Sequence, residues 1–178
     1  QRPMREPVMA TWPFERGKSY SRSVDIHGPY GGQEQSGIIT PAQHPLVIAI
    51  TGEEGAQHGY GDRSRADGVF EYFGEGQIGD MKLAKGNKAL ASHAGDGKSL
   101  LLFRKLPTGR LKYEGEWVCE GFHREPAPDR LGQMRQALVF SLRPIEAVEE
   151  GAEGLPFDAN LDLEDLRARA FVAAVADV

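Results

Sequence analysis

The sequence has a single cysteine, Cys119, among its 178 residues. One thiol excludes an internal disulfide framework and any zinc site that needs several cysteines. A reducing cytoplasm is therefore the expected location, and residues 1–15 lack the apolar stretch of a signal peptide. The longest apolar run, 45–50, is far too short to cross a bilayer.

Common catalytic motifs are absent as well. The chain has no Gly-x-Ser-x-Gly elbow, no phosphate-binding loop and no His-Glu-x-x-His motif. Its five histidines lack the helical spacing of metal ligands. We therefore expect a binding module rather than an enzyme, with no cofactor and no metal. One catalytic alternative stays open: a hydrolase using Asp25, His27 and Glu75, since Asp25 and His27 would share one face of a strand.

Acidic charge is concentrated at the end of the chain. The net charge is −5, but residues 149–178 contain eight acidic and two basic residues, so residues 1–148 are close to neutral. The stretch from Lys82 to Lys112 contains eight cations and a single acid, Asp96. A local patch of this kind can neutralise phosphates whatever the total charge. A solvated face of scattered lysines is the alternative interpretation.

Short strands separated by glycine-rich turns are the main structural signal. Strands are predicted at 46–50, 68–74, 99–103, 111–119 and 136–142, and a short helix within 80–94. This pattern predicts an α+β fold that is mostly β, a curled sheet or open barrel with a few helices. The predicted divisions are an N-terminal arm at 1–13, a domain at 14–148, and an acidic linker with a C-terminal helix at 149–178.

Two glycine-flanked segments combine aromatic rings with acids, namely Gly59-Tyr-Gly-Asp62 and Phe70-Glu-Tyr-Phe-Gly74. A cytosine flipped out of a duplex needs aromatic faces for stacking and a carboxylate that accepts from its N4 amine. We expect Phe70 to belong to the core and Tyr60 to belong to a binding site.

The order and spacing of these segments resemble the SRA (SET- and RING-associated, or YDG) domain. The resemblance covers about residues 14–142 and leaves the acidic tail outside. It is carried by Gly17-x-x-Tyr20-x-Arg22, His27, Ser36-Gly-Ile38, Gly59-Tyr60-x-Asp62, Gly68-x-Phe70-x-Tyr72-x-Gly74 and Lys85-Gly-Asn-Lys-Ala-Leu90. The segments Tyr30-Gly-Gly-Gln33 and Gly74-Glu-Gly-Gln-Ile-Gly-Asp80 are most similar to the bacterial branch, whose SRA-like domains are joined to HNH nucleases in modification-dependent restriction enzymes.

This resemblance implies a PUA-like barrel that flips 5-methylcytosine, or its 5-hydroxymethyl form, out of double-stranded DNA into an aromatic pocket. Tyr60 and Tyr72 would stack on the base, and Asp62 would accept from the cytosine edge. Phe73 would lie near the methyl group. In the full-length protein, a nuclease domain that follows this chain would be the partner.

The remaining DNA contacts are expected on the basic residues and on one loop. Because the loop after the second aromatic strand is only Glu75 to Gly79, the loop from Gly28 to Gln35 is expected to fill the gap left by the flipped base. The wedge would be Tyr30, Gln33 or Gln35, and the other expected DNA contacts are Arg22, His27, Lys82, Lys85 and Lys88. The same features would also suit a PUA-like barrel that binds RNA or a free modified nucleoside.

Overall fold

Eight strands form one curled sheet in the computed structural model, which describes residues 12–52 and 61–145. The strands are β1 (Ser19–Tyr20), β2 (Ile38–Ile39), β3 (Leu46–Thr51), β4 (Arg63–Ser64), β5 (Phe70–Phe73), β6 (Ser99–Lys105), β7 (Leu111–Pro128) and β8 (Met134–Pro144). Their order is β2-β3-β6-β7-β8-β5-β4, and β1 pairs with β7. The helical segments are a π-helical turn (Arg22–His27), α1 (Gly28–Tyr30) and α2 (Lys85–Ser92). The predicted mostly β, open and curled sheet is confirmed.

The two longest strands of the sheet, β7 and β8, form a hairpin. Strand β7 continues well past Cys119, where the sequence pattern predicted its end. A register shift between Cys119 and Gly121 bends the strand, as a β-bulge does. The bulge breaks the alternation of apolar residues, and this is why the pattern underestimated the length of the strand.

The central strand β6 is buried on both faces. Leu100 and Leu102 belong to one apolar cluster, whereas Leu101 and Phe103 belong to a second cluster on the opposite face. This accounts for the continuous apolar run of β6, because a strand covered on both sides does not need to alternate. Half-buried aromatic side chains pack against the second cluster; they are Trp12, Phe14, Tyr20 and Tyr30.

A buried histidine joins helix α2 to the hairpin. His93 Nε2 accepts a hydrogen bond from the Cys119 N–H (3.1 Å), so its Nδ1 carries the proton that is donated to the Lys98 carbonyl (2.7 Å). The neighbouring Cys119 thiol is fully buried and donates to the Gly121 carbonyl. Burial raises the pKa of this thiol to about 12.

The segment containing Asp25 and His27 is helical, so the prediction that the two share a strand face was wrong. Ser21 caps the π-helical turn, since its hydroxyl accepts from the Val24 N–H while Asp25 accepts from the Ser21 N–H. This reciprocal pair resembles a capping box and favours helical backbone over strand.

In the part of the chain that the structure describes, the sheet does not close by backbone pairing, and side chains bridge its two sides. The Tyr72 hydroxyl, on β5, donates to the carbonyls of Ile50 (3.0 Å) and Gly37 (3.2 Å) on the opposite edge. Asp62 and Glu75 make the other bridges, which are described below. We call this line of bridges, made by Asp62, Tyr72 and Glu75, the seam.

Candidate functional site

Glu75 is the seam residue that lines a cleft with a volume of about 520 Å³. One wall is the end of the loop before β2, from Gln35 to Gly37. A second wall is the segment that follows β5, from Glu75 to Ile78. The third comes from residues 80–87, which lead into α2. The cleft is large enough for a nucleotide-sized ligand.

Asp62 forms the central bridge of the seam. Its Oδ2 accepts a hydrogen bond from the Thr51 hydroxyl (2.5 Å) and its Oδ1 accepts one from the Phe73 N–H (2.7 Å). Burial raises the pKa of this carboxyl from its ordinary value of 3.8 to about 6, although both hydrogen bonds oppose the shift. Each oxygen keeps lone pairs for a further donor. Asp62 can therefore engage a ligand either as a carboxylate or as a protonated acid.

Tyr72, predicted to stack on the base, lies in the core of this structure. Its side chain is only 4% exposed, and its hydroxyl is occupied by the two carbonyls of the seam. Burial raises the pKa of this phenol above its ordinary range. Tyr72 thus holds the two sheet edges together, and its stacking on a base stays a prediction.

Phe70 and Phe73 differ in their surroundings. Phe70 is buried in the core, as predicted, on the same side of β5 as Tyr72. Phe73 is half-buried, and the Arg63 guanidinium lies 5.3 Å from the centre of its ring. The position of Phe73 near the methyl group of a bound base stays a prediction. Tyr60 lies outside the described residues.

Arg22 and His27, both predicted DNA contacts, shape the loop before β2. Arg22 Nε donates to His27 Nε2 (2.9 Å), and its Nη2 donates to the carbonyls of Gln33 (3.0 Å) and Ser36 (2.7 Å). His27 Nδ1 donates in turn to the Gly31 carbonyl (2.7 Å). The guanidinium is thus engaged in holding the loop, and a phosphate contact from Arg22 or His27 would have to come in addition to these bonds.

The side chains of the three wedge candidates differ in how firmly their neighbours hold them. The ring of Tyr30 packs edge-on against His44 (4.9 Å between centroids). The Gln33 side chain makes two hydrogen bonds with Thr40, at 2.6 and 2.8 Å. Gln35 is exposed, lines the cleft and makes no side-chain hydrogen bond within the described part of the chain. Of the three, Gln35 is the one free to enter a duplex.

The predicted lysines lie at and beyond the rim of the cleft. Lys82 and Lys85 line it, whereas Lys88 is exposed on the next turn of α2. Lys85 has a φ of 50°, a left-handed conformation that costs free energy in a residue other than glycine. This strained backbone sets the direction of the chain at the start of α2.

Two residues important for the cleft escaped the sequence analysis. Thr51 orients Asp62, and Asn87 fixes the second wall by bonding to both the N–H and the carbonyl of Glu75 and to the Lys82 carbonyl (2.8, 2.8 and 3.0 Å). A signal was available for Asn87, because a polar residue on the apolar face of a helix is normally hydrogen-bonded.

Glu75 serves as the missing cap of α2. The residue at the N-cap position, Ala84, makes no side-chain hydrogen bond, and the Glu75 carboxylate accepts from the N–H groups of Gly86 and Ile38 instead. Burial nevertheless raises the pKa of Glu75. A Cβ on Gly86 would lie 2.2 Å from Glu75 Oε2, so this approach requires glycine.

The groups of the hydrolase hypothesis do not form an arrangement that suggests catalysis. Asp25 caps the π-helical turn, His27 holds a loop and Glu75 caps α2. In residues 12–52 and 61–145 no three His, Cys, Asp or Glu side chains lie close enough to hold a metal ion. Over the same residues no helix is long and apolar enough to cross a membrane.

Solved structures with this fold include DNA complexes. The sulfur-binding and SRA domains of ScoMcrA in complex with phosphorothioated DNA match 79% of this chain and 44% of that one, at 26% identity and a TM-score of 0.62. The type IV phosphorothioation-dependent restriction endonuclease ScoMcrA matches over 74% and 28%, at 26% identity and a TM-score of 0.60. The chain thus spans less than half the length of these two structures.

The third match is to a separate SRA domain, which this chain covers almost completely. The SRA domain of SUVH5 in complex with fully methylated CG DNA matches over 76% of this chain and 92% of that one, with 21% identity and a TM-score of 0.55. At this identity the likeness concerns the fold alone. No curated protein matches the chain.

The family model for the ScoMcrA-like SRA domain matches residues 16–165. The match continues into the acidic segment that the sequence resemblance had left out. Since it covers most of the chain, and since the open curled sheet agrees with it, the chain belongs to the ScoMcrA-like SRA domain family.

Proposed function

We propose that this chain recognises 5-methylcytosine or 5-hydroxymethylcytosine in double-stranded DNA by flipping the base into the seam. It would serve as the targeting domain of a modification-dependent restriction endonuclease, with cleavage carried out by a nuclease domain elsewhere in the full-length protein. The observation that carries the proposal is Asp62, a partly buried carboxyl in the seam whose oxygens keep free lone pairs.

The chemistry of Asp62 fits the edge of cytosine. A carboxylate accepts from the N4 amine, which distinguishes cytosine from thymine because thymine presents a carbonyl at that position. A protonated carboxyl can also donate to N3 while it accepts from N4, so the acid form matches the edge at two points. The raised pKa of Asp62, about 6, makes this second form accessible near neutral pH.

Flipping requires that the gap in the duplex be filled. Unstacking a base costs about a few kcal/mol, and polar or apolar side chains inserted into the stack offset part of that cost. Gln35 is the free side chain at the rim, and we assign it the role of wedge from its exposure and its place beside the cleft.

Phosphate contacts would supply much of the remaining affinity. Positive charge at the cleft comes from Lys82 and Lys85, which line it, and from Lys88 on α2. Each neutralised phosphate releases counterions, so the affinity would fall steeply with salt. The methyl group itself would contribute only about 1–3 kcal/mol of discrimination.

A gel-shift titration at about 0.1 M salt tests the proposal, because electrostatic binding does not saturate there. Duplexes of one sequence would carry plain, 5-methyl or 5-hydroxymethyl cytosine, and a phosphorothioated duplex and an RNA of the same sequence would serve as competitors. We expect preference for a modified cytosine, lost in both Tyr60→Ala and Asp62→Ala, and no cleavage when Mg²⁺ is added. Equal binding to all three duplexes would refute the proposal, and preference for the RNA would support the PUA-like alternative.

A further inference from the structure

Three of the four large apolar side chains that are strongly exposed in residues 12–52 and 61–145 lie on a cleft wall or on the hairpin end that is bonded to it. Ile78 is 58% exposed, Leu131 63% and Met134 59%; the fourth, Val24, lies on the π-helical turn. Ile78 belongs to the second wall of the cleft, while Leu131 and Met134 belong to the end of the β7–β8 hairpin. Exposed apolar side chains gathered in this way mark a contact surface more often than a single one does.

Hydrogen bonds fasten the hairpin end to the cleft wall. The Arg130 N–H donates to the Gln77 carbonyl (2.8 Å), and its guanidinium donates to the Gln77 side chain (3.0 Å). The Gly79 N–H donates to Asp129 (3.1 Å), and Arg135 donates to the Gly79 carbonyl (2.7 Å). A ligand that enters the cleft therefore meets the hairpin end as a fixed part of the same surface.

The turn that presents Leu131 is formed before any ligand arrives. Asp129 accepts from the N–H groups of Leu131 (2.9 Å) and Gln133 (3.0 Å), and Gly132 adopts a φ of +85°. The Gly79 N–H, with those of Gln133 and Leu131, holds the pKa of Asp129 below its ordinary value. The turn thus stays intact at neutral pH and holds Leu131 outward, so little ordering entropy is lost on binding.

The charges around these residues indicate the kind of partner. Arg130 and Arg135 flank the hairpin end, and Lys82 and Lys85 stand on the rim of the same cleft. The acids at the hairpin and in the cleft walls are bonded to backbone N–H groups; they are Asp129, Asp80 and Glu75. An apolar tip among cations is the combination with which proteins open a base step while they hold the phosphates on either side.

We propose that Leu131, supported by Ile78 and Met134, is a second wedge that enters the duplex beside the flipped nucleotide. This inference rests on the proposed function. Gln35 lies on the first wall of the cleft and Leu131 is fastened to the second. The two side chains would thus approach the opened base pair from different sides of the cleft.

The test compares Leu131→Ala and Leu131→Met with the wild-type chain on a duplex with a single 5-methylcytosine, flanked by the fluorescent base 2-aminopurine. We expect Leu131→Ala to bind about tenfold more weakly and to lose most of the fluorescence rise that reports unstacking. Leu131→Met should behave like the wild type, because its side chain still fills the step. Val24→Ala, an equally exposed aliphatic side chain elsewhere, is the control and should change nothing.

A second duplex, with the modified cytosine opposite an abasic site, separates a wedge from a simple contact. Its stack is already open, so Leu131→Ala should bind it almost as well as the wild type does. An equal loss on both duplexes, or no loss on either, would overturn the wedge. If the wild-type chain is a dimer and Leu131→Ala is a monomer, the wedge is overturned too. The exposed apolar side chains would then join two copies of the chain. If the wild type itself shows no preference for modified cytosine, the proposed function fails, and that result is obtained without any variant.

Discussion

The two halves of the sheet are held together in different ways. In the half formed by β6, β7 and β8, continuous backbone pairing joins the strands, and apolar clusters cover both faces. Along the seam, three side chains bridge two strand edges between which the described residues form no backbone pairing. The paired half is held mainly by strand pairing and apolar packing, whereas the seam is made of hydrogen bonds that a ligand can share.

We infer from this difference that the paired half provides most of the stability, whereas the seam provides the groups for recognition. Apolar burial in the paired half contributes most of the free energy of folding. The seam contributes less to the free energy of folding, because the net contribution of a hydrogen bond in water is small. Three substitutions, ordered by the expected size of their effect, and one pH titration test this division.

Phe103→Ala in the paired half should have the largest effect on stability. Phe103 is fully buried on β6, with aromatic neighbours Phe14 and Tyr113 at 5.1 Å. The cavity should lower the free energy of unfolding by about 3–5 kcal/mol in urea denaturation. The ratio of affinities for modified and plain duplex should not change while the protein is folded, and Phe103→Leu should cost less. A changed ratio of these affinities would contradict the division between a stabilising half and a recognising seam.

Asn87→Ala should cost about 2–3 kcal/mol, because the N–H and the carbonyl of Glu75 lose their side-chain partner and the Lys82 carbonyl keeps only its bond from the Ala84 N–H. Unlike Phe103→Ala, it should also weaken binding to modified duplex beyond the loss of folded protein, since Glu75 and Lys82 would no longer be fixed. Lys88→Ala, one residue along the same helix, is the control for the fold. Denaturation and gel shift should be run on the same preparations. Full retention of selectivity would show that the wall need not be rigid.

Tyr72→Phe removes only the hydroxyl that joins the two edges. The carbonyls of Ile50 and Gly37 lose this donor, and we expect a cost of about 1–2 kcal/mol. The ring remains for stacking, so modified duplex should still be preferred, with an increased rate of hydrogen exchange along the seam as the main readout. Tyr20→Phe, whose hydroxyl accepts only from the exposed Glu15 N–H, is the matched control.

The pH titration concerns the contribution of Asp62 to the stability of the fold. Because its pKa rises on folding from 3.8 to about 6, the folded chain binds more protons between these values than the unfolded chain does. Asp62 therefore makes the free energy of unfolding fall as the pH rises from about 4 to about 6. Asp62→Asn should remove this part of the slope.

Binding provides a second readout of the same group. If the protonated carboxyl matches cytosine at N3 and N4, affinity for modified duplex should fall between about pH 5.5 and 7.5, since the fraction of protonated Asp62 falls there. Asp62→Asn, which offers one donor and one acceptor at every pH, should bind with little pH dependence. A wild-type affinity that is flat over this range would show that the carboxylate is the form that binds.

Most strands and the helix α2 could be predicted from sequence, because their signals are local. The apolar run of β3 and the strand at 68–74 reappear close to their predicted positions, and α2 lies within the predicted 80–94. The full length of β7 could not be predicted, since the bulge at Gly121 interrupts its pattern. The helical turn around Asp25 was missed because its cap depends on a serine four residues earlier.

The site was less predictable, since it consists of contacts between distant segments. The residue types of the seam were recognised in Asp62 and Tyr72, but the partners that orient them lie 11 to 35 residues away. Arg22 was identified as a phosphate contact from its charge, and nothing local indicates that it holds the loop carbonyls. A long-range hydrogen bond leaves no periodic trace in a sequence.

The single cysteine makes this protein convenient for chemical trapping. The Cys119 thiol is buried, and its pKa of about 12 keeps it protonated and unreactive toward alkylating and disulfide-forming reagents at ordinary pH. A cysteine introduced at an exposed position such as Gln35 or Leu131 would therefore be the only reactive thiol of the chain. Oligonucleotides carrying a tethered thiol at successive positions could then be cross-linked to each side of the cleft in turn, and the efficiency of capture would map the path of the strand.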